Sequence, residues 1–210
     1  MNRTPRLLAA VALGVLAVAA LLGGRPSPAA GSGRDEGGPA GRFSRVVFLS
    51  HVNDPATTPV FPGDPEFTLT TVSTVAEDGF YLQKIEEGEH TGTHYSAPCH
   101  FHEDERCADQ LAARDFVRPA VVVDVRRQAA ARWLIRHRQL GALGTDTFGP
   151  DPGTDPEFRV TSLVLHGHRL TLENLAGLDR MPPNGAWLAV GGPRNRAGSG
   201  APSTILGLVP

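Results

Sequence analysis

His90, His94, His100 and His102 lie close together in a chain that has eight histidines in all. Imidazole is the commonest metal ligand and the usual acid/base near neutral pH, so such a cluster suits either use. Gly92 lets the backbone turn tightly between the first two histidines. Pro98 fixes the chain just before Cys99 and His100. Gly and Pro interrupt any helix here, so this is not the two-histidine helical zinc motif. It reads as a loop whose turns aim several side chains at one point. The plainer alternative is a surface loop that happens to be rich in histidine. Cys99 and Cys107 either form a disulfide, if the compartment is oxidising, or remain two reduced thiols.

Elements on both sides must position this stretch. Arg45 to Leu49 is a short apolar run that suits a buried strand. Asn53 to Pro65 is rich in Pro, Asp and Gly and reads as a loop. Phe67 to Val75 and Phe80 to Ile85 read as strands leading toward His90. Ala108 to Phe116 suits a short helix. Ala120 to Val125 is a nearly continuous β-branched run, the pattern of a strand buried on both faces. Ala129 to Gln139 has helical composition, and Leu140-Gly141 ends it. Ala142 to Asp146 is a short strand, Asn174 to Leu178 a helical turn, and Gly185 to Val190 a further strand. Thr204 to Val209 reads as a last edge strand. Leu163 to Leu172 takes no clear pattern. The whole is mixed α/β with irregular loops, as 24 Gly and 18 Pro imply.

The 210 residues fit one domain with a modest core and tails. A formal net charge of -2 gives no sign of a nucleic-acid partner. At the N-terminus, Arg3 and Arg6 precede an apolar run from Leu7 to Leu22, followed by the small residues Ser27 to Ala30. That pattern is a signal peptide, residues 1–30, and implies a secreted or extracytoplasmic protein. An uncleaved N-terminal membrane anchor is the alternative. With the signal cleaved, no stable membrane insertion is expected. Residues 31–42 read as a flexible linker, and 43–210 as the functional domain.

The stretch His90-Thr91-Gly92-Thr93-His94-Tyr95-Ser96-Ala97-Pro98-Cys99-His100-Phe101 resembles the signature of the metal-dependent cyclases and kynurenine-formamidase-like hydrolases. That signature runs His-x-Gly-Thr-His-x-Asp-x-Pro-x-His-Phe. Leu49-Ser50-His51 with Pro59 to Pro65 resembles the family's opening strand and Pro-Gly loop. Leu172-Glu173-Asn174-Leu175 resembles its Glu-Asn-Leu segment. The resemblance implies a swivelling β/α/β fold with a central barrel-like mixed sheet, here shortened in the middle between Val125 and Ala129. It implies His90, His94 and Glu173 as metal ligands, zinc or manganese as cofactor, and His100 as catalytic acid/base. It implies a small-molecule substrate, an arylformamidase-like amide hydrolysis of the N-formylkynurenine type from tryptophan catabolism, and a homodimer or homotetramer.

Two positions depart from the pattern. Ser96 stands where the family has Asp, and Thr161 where it has a later His, with His166 and His168 nearby but out of register. These changes favour one metal over two. They also leave open an inactive relative that binds a metal or small ligand. Asp64 is either a turn residue or a pocket residue. His51 is either a donor near a ligand or a solvated histidine. Phe61, Phe80 and Tyr81 are expected in the core, with substrate stacking as the alternative. Arg194 to Arg196 read as a solvated loop.

Overall fold

The computed structural model describes residues 16–21, 42–123 and 128–210. Its strands are β1 (Leu16–Leu21), β2 (Arg45–Phe48), β3 (Thr68–Ser73), β4 (Leu82–Glu86), β5 (His94–Ser96), β6 (Val117–Val123), β7 (Gln139–Thr145), β8 (Leu170–Glu173), β9 (Ala186–Gly191), β10 (Gly200–Pro202) and β11 (Thr204–Val209). The helices are α1 (Val75–Asp78), α2 (Gln128–His137) and α3 (Arg159–Leu165). Among the described residues, nine strands form one sheet in the order β10-β5-β8-β7-β1-β6-β9-β11-β2. Strands β3 and β4 form a separate antiparallel hairpin.

The large sheet is mixed. β7 pairs parallel with β8 through a crossover that contains α3, and the other pairs are antiparallel. The architecture is therefore mixed α/β, mostly sheet. Its terminal strands β10 and β2 are not hydrogen-bonded to each other, so the sheet stays open rather than closing into a barrel. The expected shortening, between Val125 and Ala129, falls mostly on residues 124–127, which lie outside the described residues.

One core fills the sheet face where Leu49, Tyr95, Leu170, Leu172, Leu175, Leu188 and Ile205 pack together. All seven are almost fully buried. Each such leucine or isoleucine contributes about 2 kcal/mol by leaving water. A smaller cluster joins α2, β7 and α3 through Ala131, Leu134, Leu140, Leu143, Val160 and Val164. The i, i+3 and i, i+4 spacings in the two helices place these side chains on one stripe.

Several expectations are corrected. β11 is not an edge strand: it lies between β9 and β2. The edge is β2, whose Val46 and Phe48 are exposed while Val47 is buried. A short apolar run does not by itself distinguish burial on one face from burial on two. Ala108 to Phe116 is not a helix but two 3-10 turns, Ala108–Gln110 and Ala113–Phe116. The Arg194 guanidinium donates to the carbonyls of Ala108, Asp109 and Leu111, so these groups bond across the fold. The same bonds show that Arg194 is tied down rather than freely solvated. α2 stops at His137, and Leu140 and Gly141 belong to β7. Leu163 to Leu172 divides between the end of α3 and the start of β8.

Asn174 to Leu178 is not a helical turn. Asn174 takes a left-handed conformation, φ 51°, and Asn174, Leu175 and Ala176 donate their backbone N–H groups to Thr147, Thr145 and Leu49. Phe80 and Tyr81 are not in the core; both are exposed beside the β3–β4 hairpin. Residues 16–21, placed by their sequence in the signal peptide, form β1 between β6 and β7.

Candidate functional site

The site is built on β5. This strand lies between β8 and β10, with His94 opposite Glu173 and Pro202, Tyr95 opposite Leu172 and Ala201, and Ser96 opposite Thr171 and Gly200. Side chains alternate along a strand. Tyr95 enters the core, where its ring meets Phe116 and its hydroxyl donates to Pro193 O at 3.0 Å. His94 and Ser96 therefore face the other side. Directly paired residues share a face, so Glu173 and Thr171 join them. The histidine-rich stretch is thus not wholly a loop, because its middle is a buried interior strand. A turn precedes it at Gly92, whose φ is 56° and whose missing side chain leaves room for Thr58 Cγ2. Pro98–His100 forms a 3-10 turn after it.

These elements bring together every residue expected in the site. His90, His94, His100 and Glu173 line one cavity of about 370 Å³ with Asp64, Thr161, Gly149, Phe61, Phe101, Phe148 and Phe158. His94 Nε2 stands 3.6 Å from Glu173 Oε2. Glu173 Oε1 accepts from Thr171 Oγ1 at 2.8 Å and lies 3.3 Å from Ser96 Oγ. Ser96 Oγ also lies 3.3 Å from His90 Nδ1. The His90 ring stacks on His100 at 3.9 Å between centroids and meets His94 edge-on at 5.0 Å.

Burial sets the charge state of two of these rings. Burial, then the nearby His100 and His94, pushes the His90 pKa down to about 3. His100 is also lowered, chiefly by burial; His94 adds to this, while Glu173, Asp64 and Glu89 oppose it. His100 nevertheless reaches solvent at the cavity mouth. A neutral, accessible imidazole is suited to accept a proton.

The donor chemistry fits a divalent cation. His94 Nδ1 lies 2.9 Å from Gly92 O, and a carbonyl only accepts, so Nδ1 carries the proton. In the neutral ring Nε2 is then bare and faces the Glu173 carboxylate. Two acceptors facing each other in a nearly dry site call for a positive centre between them. His90 supplies a third nitrogen nearby. Among the described residues, no three His, Cys, Asp or Glu side chains already stand in a metal-holding arrangement. The pair His94–Glu173 is in place, and His90, stacked on His100, is the third donor beside it.

The departures from the family pattern also find their places. Thr161 lies in the cavity, but its hydroxyl and backbone N–H both donate to Asp151, which caps α3. His166 and His168 do not replace it. They sit outside the cavity around Glu105, with His168 Nδ1 2.8 Å from Glu105 Oε2. His102 lies 2.7 Å from Ser162 O and likewise stands outside the cavity lining. His51 is exposed. Asp64 and Phe61 prove to be cavity residues. Cys99 and Cys107 form a disulfide that ties the His100 turn to the following loop.

Sequence reasoning missed Phe148 and Phe158 as walls, and Glu89 and Ser199 beside His90. Phe61 meets Phe148 and Phe158 edge-to-face at 5.7 and 6.1 Å. The signals were slight: an acid next to a histidine, and a serine inside a glycine-rich tail.

Comparison with known proteins finds relatives of the segment that holds this site. The family model described as putative cyclase matches residues 47–130, the segment that carries β5 and His100. The chain is 35% identical to the kynurenine formamidase of Salinibacter ruber over 100 residues, 47% of this chain and 45% of that enzyme. The chain thus matches less than half the length of that relative. It is 23% identical to the isatin hydrolase of Roseibium aggregatum over 230 residues, 73% of this chain and 88% of the relative. The cyclase-like fold extends further than the family match. Isatin hydrolase A from Ralstonia solanacearum superposes with a TM-score of 0.72 at 24% identity, covering 82% of this chain and 94% of that one. A structure described as a potential metal-dependent hydrolase with cyclase activity gives 0.60 at 17% identity, covering 78% and 96%.

Proposed function

We propose that this chain is an exported, metal-dependent hydrolase of aromatic amides, arylformamidase-like and acting on N-formylkynurenine-type compounds of tryptophan breakdown. The observation that carries the reading is the His94–Glu173 pair, with His100 at the mouth of the same phenylalanine-walled cavity. His90, His94 and Glu173 would hold zinc or manganese. When bound, such a cation supplies Lewis acidity to a carbonyl and to water. The phenylalanine walls orient a flat ring and exclude solvent around it. His100, kept neutral by burial, takes the proton of the attacking water and returns it to the leaving nitrogen. The kynurenine formamidase and isatin hydrolase relatives support this choice of substrate class.

The test is an assay of the full chain with zinc or manganese on a formyl-aromatic amide and on isatin. Turnover is expected, with its loss in His100→Ala. No turnover of either compound with either metal refutes the reading.

A second reading is favoured by one observation: the position of the family Asp holds the neutral Ser96. The chain would then be a catalytically weakened relative that binds a metal or small ligand. Turnover only after Ser96→Asp together with Thr161→His would select it.

Export rests on the N-terminal pattern, and a homodimer or homotetramer on the exposed Val72, Val75, Phe80, Tyr81, Leu82 and Ile85 around the β3–β4 hairpin. Among the described residues no helix is long and apolar enough to cross a membrane. Cleavage after residue 30 would remove β1 from between β6 and β7. N-terminal sequencing of the exported protein decides whether the segment is leader or strand.

A further inference from the structure

We propose that Glu89 and Ser199 are positioning residues that hold the proton of His90 on Nε2 and leave Nδ1 bare toward Ser96. The inference rests on the metal-site reading only for its consequence, not for its geometry. Ser199 Oγ lies 2.7 Å from Glu89 Oε2 and 2.9 Å from His90 Nε2. A hydroxyl has one proton, and a carboxylate can only accept. The hydroxyl proton therefore goes to Glu89, and the Ser199 oxygen is left to accept from the ring. Nε2 must supply that proton. In a neutral imidazole the other nitrogen is then unprotonated. It lies 3.3 Å from Ser96 Oγ and accepts that hydroxyl's one proton, while Glu173 Oε1 keeps the shorter donation from Thr171 Oγ1 at 2.8 Å.

The surrounding backbone is shaped for this clip. Ser199 N also donates to Glu89 Oε2, at 2.8 Å, so the carboxylate grips both groups of the serine. Ser199 O accepts from Ala97 N at 2.7 Å, and Gly198 O from Ala108 N at 2.8 Å. These bonds fix the tail against the His100 turn. The flanking glycines make the space. A Cβ at Gly198 would come within 2.6 Å of Glu89 Oε1, and one at Gly200 within 2.9 Å of His90 Cε1. The tail segment Gly198-Ser199-Gly200 is thus a cradle for one acid and one imidazole.

The consequence is a matched pair of rings. His94 is held by Gly92 O with Nε2 bare, and His90 by Ser199 with Nδ1 bare. Partners of this kind, which fix the tautomer of a ligating histidine, typically change metal affinity by roughly 10–100-fold when removed.

The experiment combines two readouts on the full chain. Nitrogen-15 NMR of histidine-labelled, metal-free protein at neutral pH reports which ring nitrogen of His90 is protonated. Chelator competition reports zinc affinity. Wild type is expected to show an Nε2-protonated His90. Ser199→Ala and Glu89→Ala are expected to lose that preference and to bind zinc about tenfold more weakly or worse. Ser199→Thr keeps the hydroxyl and is expected to restore both properties. An Nδ1-protonated His90 in wild type overturns the proposal, as does a tautomer unchanged in folded Ser199→Ala and Glu89→Ala. Zinc affinity unchanged in His90→Ala and Glu173→Ala would instead overturn the metal-site reading. The tautomer measurement would still decide the clip.

Discussion

Ser96→Asp places a second, buried carboxylate beside Glu173. Ser96 is fully buried, and its Oγ lies 3.3 Å from Glu173 Oε1. Two unit charges about 4 Å apart repel by about 4 kcal/mol at an effective dielectric constant near 20. That energy equals about three pKa units, so the introduced carboxyl rises from about 4 to about 7 in the folded, metal-free protein. A carboxyl with a raised folded pKa binds more protons folded than unfolded across that interval. Stability is therefore lost as pH rises from about 4 through about 7, and the loss is complete above it. The loss is about 1.5 kcal/mol at pH 5 and about 4 kcal/mol at pH 8. Urea denaturation in chelator at both pH values measures it. Salt should change the difference little, because the pair is buried. A divalent cation between the carboxylates reverses the sign, so zinc should stabilise the variant more than wild type. Equal stability of variant and wild type at both pH values in chelator would refute the electrostatic argument. Equal stabilisation of the two by zinc would refute the placement of the cation.

Three other outcomes follow from the same structure. His90, with its pKa held near 3 against an ordinary 6.5, makes the metal-free protein lose stability as pH falls from 6.5 toward 3. His90→Asn should flatten that part of a pH-stability profile. Gly200→Ala should cost on the order of 1–3 kcal/mol by overpacking, since the new methyl runs into Tyr95 O as well as the His90 ring; a urea melt matching wild type would contradict the close approach. Reduction of Cys99–Cys107, a loop of eight residues' separation, should lower stability by about 2.5 kcal/mol through the unfolded chain's entropy, read as a shift in the melting curve with and without reductant.

Much of the site was legible because its residues are close in the chain. His90, His94 and His100 lie in one segment, and their residue types allow few uses. The hairpin strands were also legible from their Thr-rich and Val-rich composition. What escaped was read wrongly for a physical reason in each case. β11 and β2 differ in burial because of who pairs with them, and pairing is not local. Ala108 to Phe116 has helical composition, but Arg194, far along the chain, engages the carbonyls of Ala108, Asp109 and Leu111. The apolar run near the N-terminus satisfies two descriptions at once, an export signal and the strand β1, because both demand only apolar residues in a row.

The amino-acid sequence by itself determined which groups are available for chemistry: three clustered imidazoles, a carboxylate at Glu173, and a serine in place of an acid at position 96. Their chemical identities and the turns at Gly92 and Pro98 are local properties. The tertiary structure decided how those groups meet. Strand register sets Glu173 opposite His94, and alternation turns Tyr95 inward so that His94 and Ser96 face the cavity. The return of the tail to β5 sets Ser199 against His90 across 109 residues. The partner of the His94 ring, Gly92 O, is two residues away, whereas the partner of His90 arrives only once the sheet is assembled.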